Sequence, residues 1–174
     1  MNVGMIMTPA LITITCDEPM ASAARRMRSA RIRHLPVTDH GRLVGMLSDR
    51  DVLEVPSPEG EPAIDQETGL PHVARDFMQS ALEPIGPEDD VASAAGILLH
   101  RRVGCLPVMR SGSLLGVLSD VDVIRAYMEA CREEPAVRAL DPFVGQVMTR
   151  EIVSVPTDWP VDASLRLAVR ERIH

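Results

Sequence analysis

Two stretches of the chain, "GMLSDRDVL" at Gly45–Leu53 and "GVLSDVDVI" at Gly116–Ile124, are nearly the same nine residues. Each leads from an apolar strand-like run through Ser-Asp-x-Asp into a second apolar run. Two readings stand for this turn. In the first, Ser48 with Asp51 and Ser119 with Asp122 are capping boxes. The serine oxygen accepts a helix N–H and the acid reaches back, which stabilises each helix by about 1 kcal/mol and needs no ligand. In the second, the same junction is a ligand site. A helix N-terminus offers unpaired N–H groups to an anion, and a carboxylate has two acceptor oxygens suited to the paired hydroxyls of a ribose. Arg50, beside Asp51, is placed to hold a phosphate bidentately.

Outward from these stretches the duplication widens. A shift of about 71 positions lays Met7 over Met78 and "MASAARRMRSARIRHLPVTDHGRLVGMLSDRDVL" over "VASAAGILLHRRVGCLPVMRSGSLLGVLSDVDVI" without a gap. Ala-Ser-Ala-Ala, Leu-Pro-Val and the turn glycines Gly41 and Gly112 coincide. A third start follows at Met148-Thr149, with Pro160 over Pro19, and runs to His174. Since it stops between a helix and the strand that should follow, the expectation is that this is a fragment of a longer polypeptide.

Within a copy, "LITIT" alternates as a short strand, and Asp17 is expected to cap the next helix with Pro19 in its first turn. Met20, Ala23, Ala24 and Met27 share one helical face, as do Val91, Ala94, Ala95 and Leu98. "LPV", a glycine turn and "LVGML" read as a β-hairpin, and a second helix starts at Asp49. The expected fold is α/β: tandem β-α-β-β-α units, unit 1 at 1–56 and unit 2 at 72–131. Linkers rich in Pro, Gly and acids fill 57–71 and 132–146, and a truncated third unit fills 147–174.

Composition narrows the function. The formal charge of −7 and the lack of a dense basic run argue against a nucleic-acid surface. No apolar stretch approaches the roughly 20 residues that span a bilayer, and no signal-peptide pattern opens the chain. Cys16, Cys105 and Cys131 are far apart and odd in number, which fits reduced thiols in a cytoplasmic protein. The five histidines form no pair at metal-ligand spacing. No acid–base pair or serine–histidine arrangement stands out, so an enzyme is not expected.

The order "MT … strand … P-helix … h-LPV … G-x-L-x-G-h-L-S-x-x-D-h", written twice, resembles the CBS-domain family, in which two units pair into a Bateman module. The resemblance implies a pseudo-two-fold module whose clefts bind adenosine-containing ligands: AMP, ADP, ATP or S-adenosylmethionine. It also implies a regulatory role toward an attached or partner protein, and a cross-over between units. Site A would join Ser119 and Asp122 to Thr8, Ile12, Ile32 and Arg33 of the first unit. Site B would join Ser48, Arg50 and Asp51 to Glu83, Val103 and Gly104 of the second. Site A has Val121 where site B has Arg50, so a cation must come from elsewhere, Arg33 or His34. Site B has Glu83 where site A has Ile12, which crowds or repels a polyphosphate.

Two functions follow from different features. The duplicated Ser-x-x-Asp supports a nucleotide-sensing module. Glu83, Val121 and the absence of a stacking aromatic support a structural dimerisation module that binds no nucleotide. A homodimer is expected in either case, through an apolar face on Met20, Ala24 and Met27 or on Val91, Ala95 and Leu98.

Overall fold

The computed structural model describes residues 1–9, 12–55, 71–133 and 153–170. Most of both expected linkers, and Met148-Thr149, lie outside the described residues. A first compact unit takes in Met1–Ala126 and a second Tyr127–His174.

The first unit holds two three-stranded sheets. In one, β2 (Ile14–Thr15) pairs in parallel with β3 (His34–Asp39), which pairs antiparallel with β4 (Arg42–Ser48). In the other, β1 (Thr8–Pro9) pairs antiparallel with β6 (Ser113–Ser119), and β6 with β5 (Cys105–Arg110). Helices α1 (Met20–Ala30) and α4 (Val91–Arg101) are the first long helices of the copies, and α3 (Ala74–Phe77) is a single turn. Helices α2 (Asp49–Glu54) and α5 (Asp120–Glu133) follow the two hairpins. The hairpin loops are the two-residue turns His40-Gly41 and Ser111-Gly112, all at positive φ, the primed geometry that matches strand twist.

The 71-residue shift holds in the backbone. The Thr8–Val117 pair has its mate in Gln79–Met46, and Ile14–Val37 has its mate in Ile85–Val108. Asn2–Asp90 likewise answers Val73–Pro19.

The two cores are exchanged. Ala74 packs with Ile14, Met20, Met27, Leu35, Val37 and Leu47 of the first copy. Val3, in a 3₁₀ turn at Val3–Met5, packs with Ile85, Leu98, Leu106, Val108 and Leu118 of the second. Each copy thus closes the other's core with the segment just before its own first strand.

Two expectations are corrected. The face expected to form a dimer is not exposed: Met20, Met27, Val91 and Leu98 are buried in the two cores, and Ala24 and Ala95 are half-buried. The helical periodicity was that of a face turned to the chain's own sheet, and it carries no argument for a dimer. Asp17 does not cap α1. The N-cap is Pro19, without a side-chain bond, and Asp17 pairs with Arg75 instead. In the second copy the cap is made by Asp90, which accepts from the N–H groups of Ala92 at 2.9 Å and Ser93 at 3.2 Å.

In the second unit, α6 (Val161–Arg170) starts one residue after Pro160, as α1 starts after Pro19. Its Ser164 N–H bonds the carbonyl of Pro160 at 3.1 Å. Trp159 is exposed.

Candidate functional site

Helix ends and strand crossings build the clefts. Helix α1 ends in a left-handed residue, Arg31, and α4 in Arg102, with Ile32 and Val103 bonding back to Met27 and Leu98. That turn delivers Ile32-Arg33 and Val103-Gly104 just before the LPV strands. Strand β1 crosses β6 at Gly116, where an added Cβ would lie 2.5 Å from the Thr8 carbonyl oxygen. Glycine in the G-h-L-S stretch is therefore a requirement of close approach, and it sets Thr8 beside the start of α5.

Both Ser-x-x-Asp turns are capping boxes. The Asp122 Oδ2 atom accepts from the Ser119 N–H at 2.9 Å and from its hydroxyl at 2.6 Å, while the Asp122 N–H donates back to Ser119 Oγ at 3.3 Å. Asp51 Oδ2 accepts from the Ser48 N–H at 2.5 Å and from its hydroxyl at 2.8 Å. The same carboxylate has a second oxygen. Asp122 Oδ1 accepts from the Thr8 hydroxyl at 3.4 Å, long for such a bond, and lies 3.9 Å from the Arg125 guanidinium. One oxygen caps and the other is only loosely held, so the two readings of the motif are compatible at Asp122.

Cleft A brings together the residues that the resemblance implies for site A. A cavity of about 370 Å³ is lined by all six of them, Thr8, Ile12, Ile32, Arg33, Ser119 and Asp122, together with Val121. Its volume falls in the range of small-molecule sites. Asp122, at 7% exposure, is the one buried charged residue among those described. Pro9, Arg31, His34, Pro36, Cys105, Val117 and Arg125 complete the wall. Arg125 was missed by the sequence reading although the signal was present: it lies three residues after Asp122, on the same helical face. Arg33 reaches across the halves to Asp120 at 3.2 Å. Burial pushes the His34 imidazole below its usual range, and the neighbouring Arg33 adds to the shift.

Cleft B does not assemble in the same way. A cavity of about 420 Å³ is lined by Glu83 and Val103, with Met46, Gln79, Leu82 and Arg101 among the others. Ser48, Arg50, Asp51 and Gly104 are not among its lining residues. Glu83 pairs with Arg101 at 2.6 Å across this wall. Gly104 stands where the first copy has Arg33 because the His34 ring lies against it: a Cβ there would be 2.9 Å from His34 Nε2. Cys105 lines both cavities, and burial, with Asp122 and Asp120 nearby, pushes its thiol up to about 12. No group of three or more His, Cys, Asp or Glu among the described residues is placed to hold a metal ion.

Residues 3–57 and 74–129 each match the family model of the CBS domain, and the chain belongs to that family. Its two copies make a CBS-domain pair, the Bateman module. The chain is 25% identical over 113 residues to the CBS domain-containing protein YhcV of Bacillus subtilis (strain 168), a match over 65% of this chain and 76% of that one. It spans between 31% and 58% of the length of other curated relatives that it matches. Among solved structures, CBSX2 in complex with AMP is 28% identical with a TM-score of 0.63, over 74% of this chain and 97% of that chain. The CBS domain pair of protein MJ0100, in complex with 5′-methylthioadenosine and S-adenosyl-L-methionine, superposes with a TM-score of 0.63 over 75% of this chain and 98% of that chain. At 19% identity that likeness is one of fold.

Proposed function

We propose that this chain is a regulatory module that binds an adenosine-containing ligand, AMP, ADP, ATP or S-adenosylmethionine, in cleft A and so controls an attached or partner protein. The observation that carries the reading is the buried Asp122 carboxylate: its Oδ2 is fixed by Ser119 while Oδ1 is held only by long contacts in a cavity of nucleotide size. A ribose diol offers two O–H donors to such an oxygen, and the arginines of the wall suit a phosphate. The likeness to CBSX2, a structure in complex with AMP, supports the same class of ligand.

The site binds rather than reacts. Both serine hydroxyls donate to carboxylates that cap a helix, and a carboxylate is too weak a base to make either serine an activated nucleophile. A homodimer and a cytoplasmic setting belong to the same proposal. Leu53 on α2 and Val121 and Ile124 on α5 are among the exposed apolar side chains that would meet a second copy, as is Leu99 on α4. No described helix is long and apolar enough to cross a membrane. Calorimetric titration of the chain with AMP, ATP and S-adenosylmethionine tests the reading. Saturable binding of at least one is expected, and no heat from any of the three would sink it.

A further inference from the structure

We propose that Arg125 is the phosphate-reading residue of cleft A, so that the ligand is a nucleoside phosphate, taken up at one cleft per chain. This rests on the reading of cleft A as an adenosine site and narrows it to one ligand class. The two cavities have similar volumes, about 370 and 420 Å³, so size does not separate them. Charge does. Cleft A is lined by three guanidiniums, Arg31, Arg33 and Arg125, of which Arg33 is engaged by Asp120, against the single carboxylate of Asp122. Cleft B is lined by one guanidinium, Arg101, already engaged by Glu83.

The 71-residue symmetry shows which differences matter. The mate of Arg125 is Glu54, a full reversal of charge, and the mate of Ile12 is Glu83. Arg125 sits three residues beyond Asp122 on α5, 3.9 Å from the Oδ1 atom that faces Thr8. A ribose hydroxyl that bonds Oδ1 takes over the contact that Arg125 makes there. The guanidinium, with a side chain 67% exposed on a flexible stem, is then released toward the phosphate carried by the same sugar. In cleft B a phosphate would instead meet the carboxylate of Glu83, with no guanidinium on the wall other than the Arg101 that Glu83 already engages. Like charges disfavour it.

The test is titration of the full chain with AMP, adenosine and S-adenosylmethionine. In the parent, AMP should bind at one site per chain and at least about tenfold more tightly than adenosine, the loss expected when a charge-assisted bond is missing. Arg125→Gln should bring AMP down to the affinity of adenosine and leave adenosine unchanged. Arg125→Lys should recover part of the preference. A positional effect on the helix alone would move both ligands together. The inference is overturned if Arg125→Gln leaves the AMP-to-adenosine ratio as in the parent, if AMP fills two sites, or if S-adenosylmethionine outcompetes AMP. The last of these results would leave the adenosine reading standing. Binding of none of the three would remove that reading as well.

Discussion

The two aspartates of the duplicated turn hold the same bonds to serine but face different surroundings, and substituting each in turn separates folding from binding. Asp122 and Asp51 each take two bonds from their serine, at 2.9 and 2.6 Å and at 2.5 and 2.8 Å. Replacing either by alanine removes the cap. A lost cap costs about 1–2 kcal/mol, which for a chain of this size is a fall of about 2–8 °C in Tm. Asparagine keeps one oxygen, enough for the serine N–H and hydroxyl together, and loses charge at a helix N-terminus. Its cost should stay within about 1 kcal/mol. At Asp122 the asparagine amide then faces the cleft as a donor where ribose hydroxyls need an acceptor. Losing those charge-assisted bonds should weaken AMP by about 10- to 150-fold. At Asp51, which lies outside the lining of cavity B, AMP affinity should not move. Thermal unfolding and calorimetry on Asp122→Asn, Asp51→Asn and the two alanine variants decide the matter. The stability losses should match between copies, and the affinity loss should appear in copy 2 alone. Equal weakening of AMP by Asp51→Asn and Asp122→Asn would refute the division.

Three further outcomes follow. Gly116→Ala drives a Cβ to 2.5 Å from a backbone oxygen, whereas Gly45→Ala meets the Met78 side chain, whose sulfur can swing away. Both overpack, at about 1–3 kcal/mol, and urea titration should find Gly116→Ala clearly the worse of the two. The His34 pKa is depressed in the folded state, so the unfolded chain takes up this proton first, and stability is lost as pH falls below the unfolded value of about 6.5. Between pH 7.5 and 5.5 the parent should lose more stability than His34→Gln, and equal losses would show that His34 is not responsible. The Cys105 thiol, pushed up to about 12, and the buried Cys16, also pushed up by burial, should resist alkylation in the native chain at pH 8. Only the half-buried Cys131 should label quickly, with the other two following on unfolding, as mass spectrometry of the labelled peptides would report.

Much of the fold was legible because duplication makes weak signals coincide. The period of 71, the hairpins and the helix starts after Ser48 and Ser119 all stand where their turn chemistry put them. Periodicity identifies an apolar face but not what covers it, which is why Met20 and Val91 were assigned to a dimer and belong to the cores. Nor does local pattern say which sheet a two-residue strand joins, so the pairing of Thr8-Pro9 with β6 of the other copy came from the fold alone. At the site, the six residues that the resemblance assigns to site A all line one cavity, though only Ser119 and Asp122 stand in the motif itself. Arg125 was not among the six, because the reading stopped at the motif's last aspartate. The Glu83–Arg101 pair was half visible: the acid stood out as a departure from Ile12, but its partner lies eighteen residues on, at the end of a helix.

The exchange of Val3 and Ala74 between cores has a consequence for how the chain is made. Val3 leaves the ribosome more than a hundred residues before Leu118, the strand residue it packs against. The first sheet likewise waits for Ala74 before its core is closed. Vectorial synthesis therefore completes the residues of the first core with Ala74 and Met78, well before those of the second are complete with Leu118. Val3 must remain uncommitted through that interval, and its burial is the clasp that closes the second core late. A nascent chain stalled before the second hairpin would present an apolar turn with nowhere to dock, a state that chaperones recognise and that proteolysis during translation would reveal.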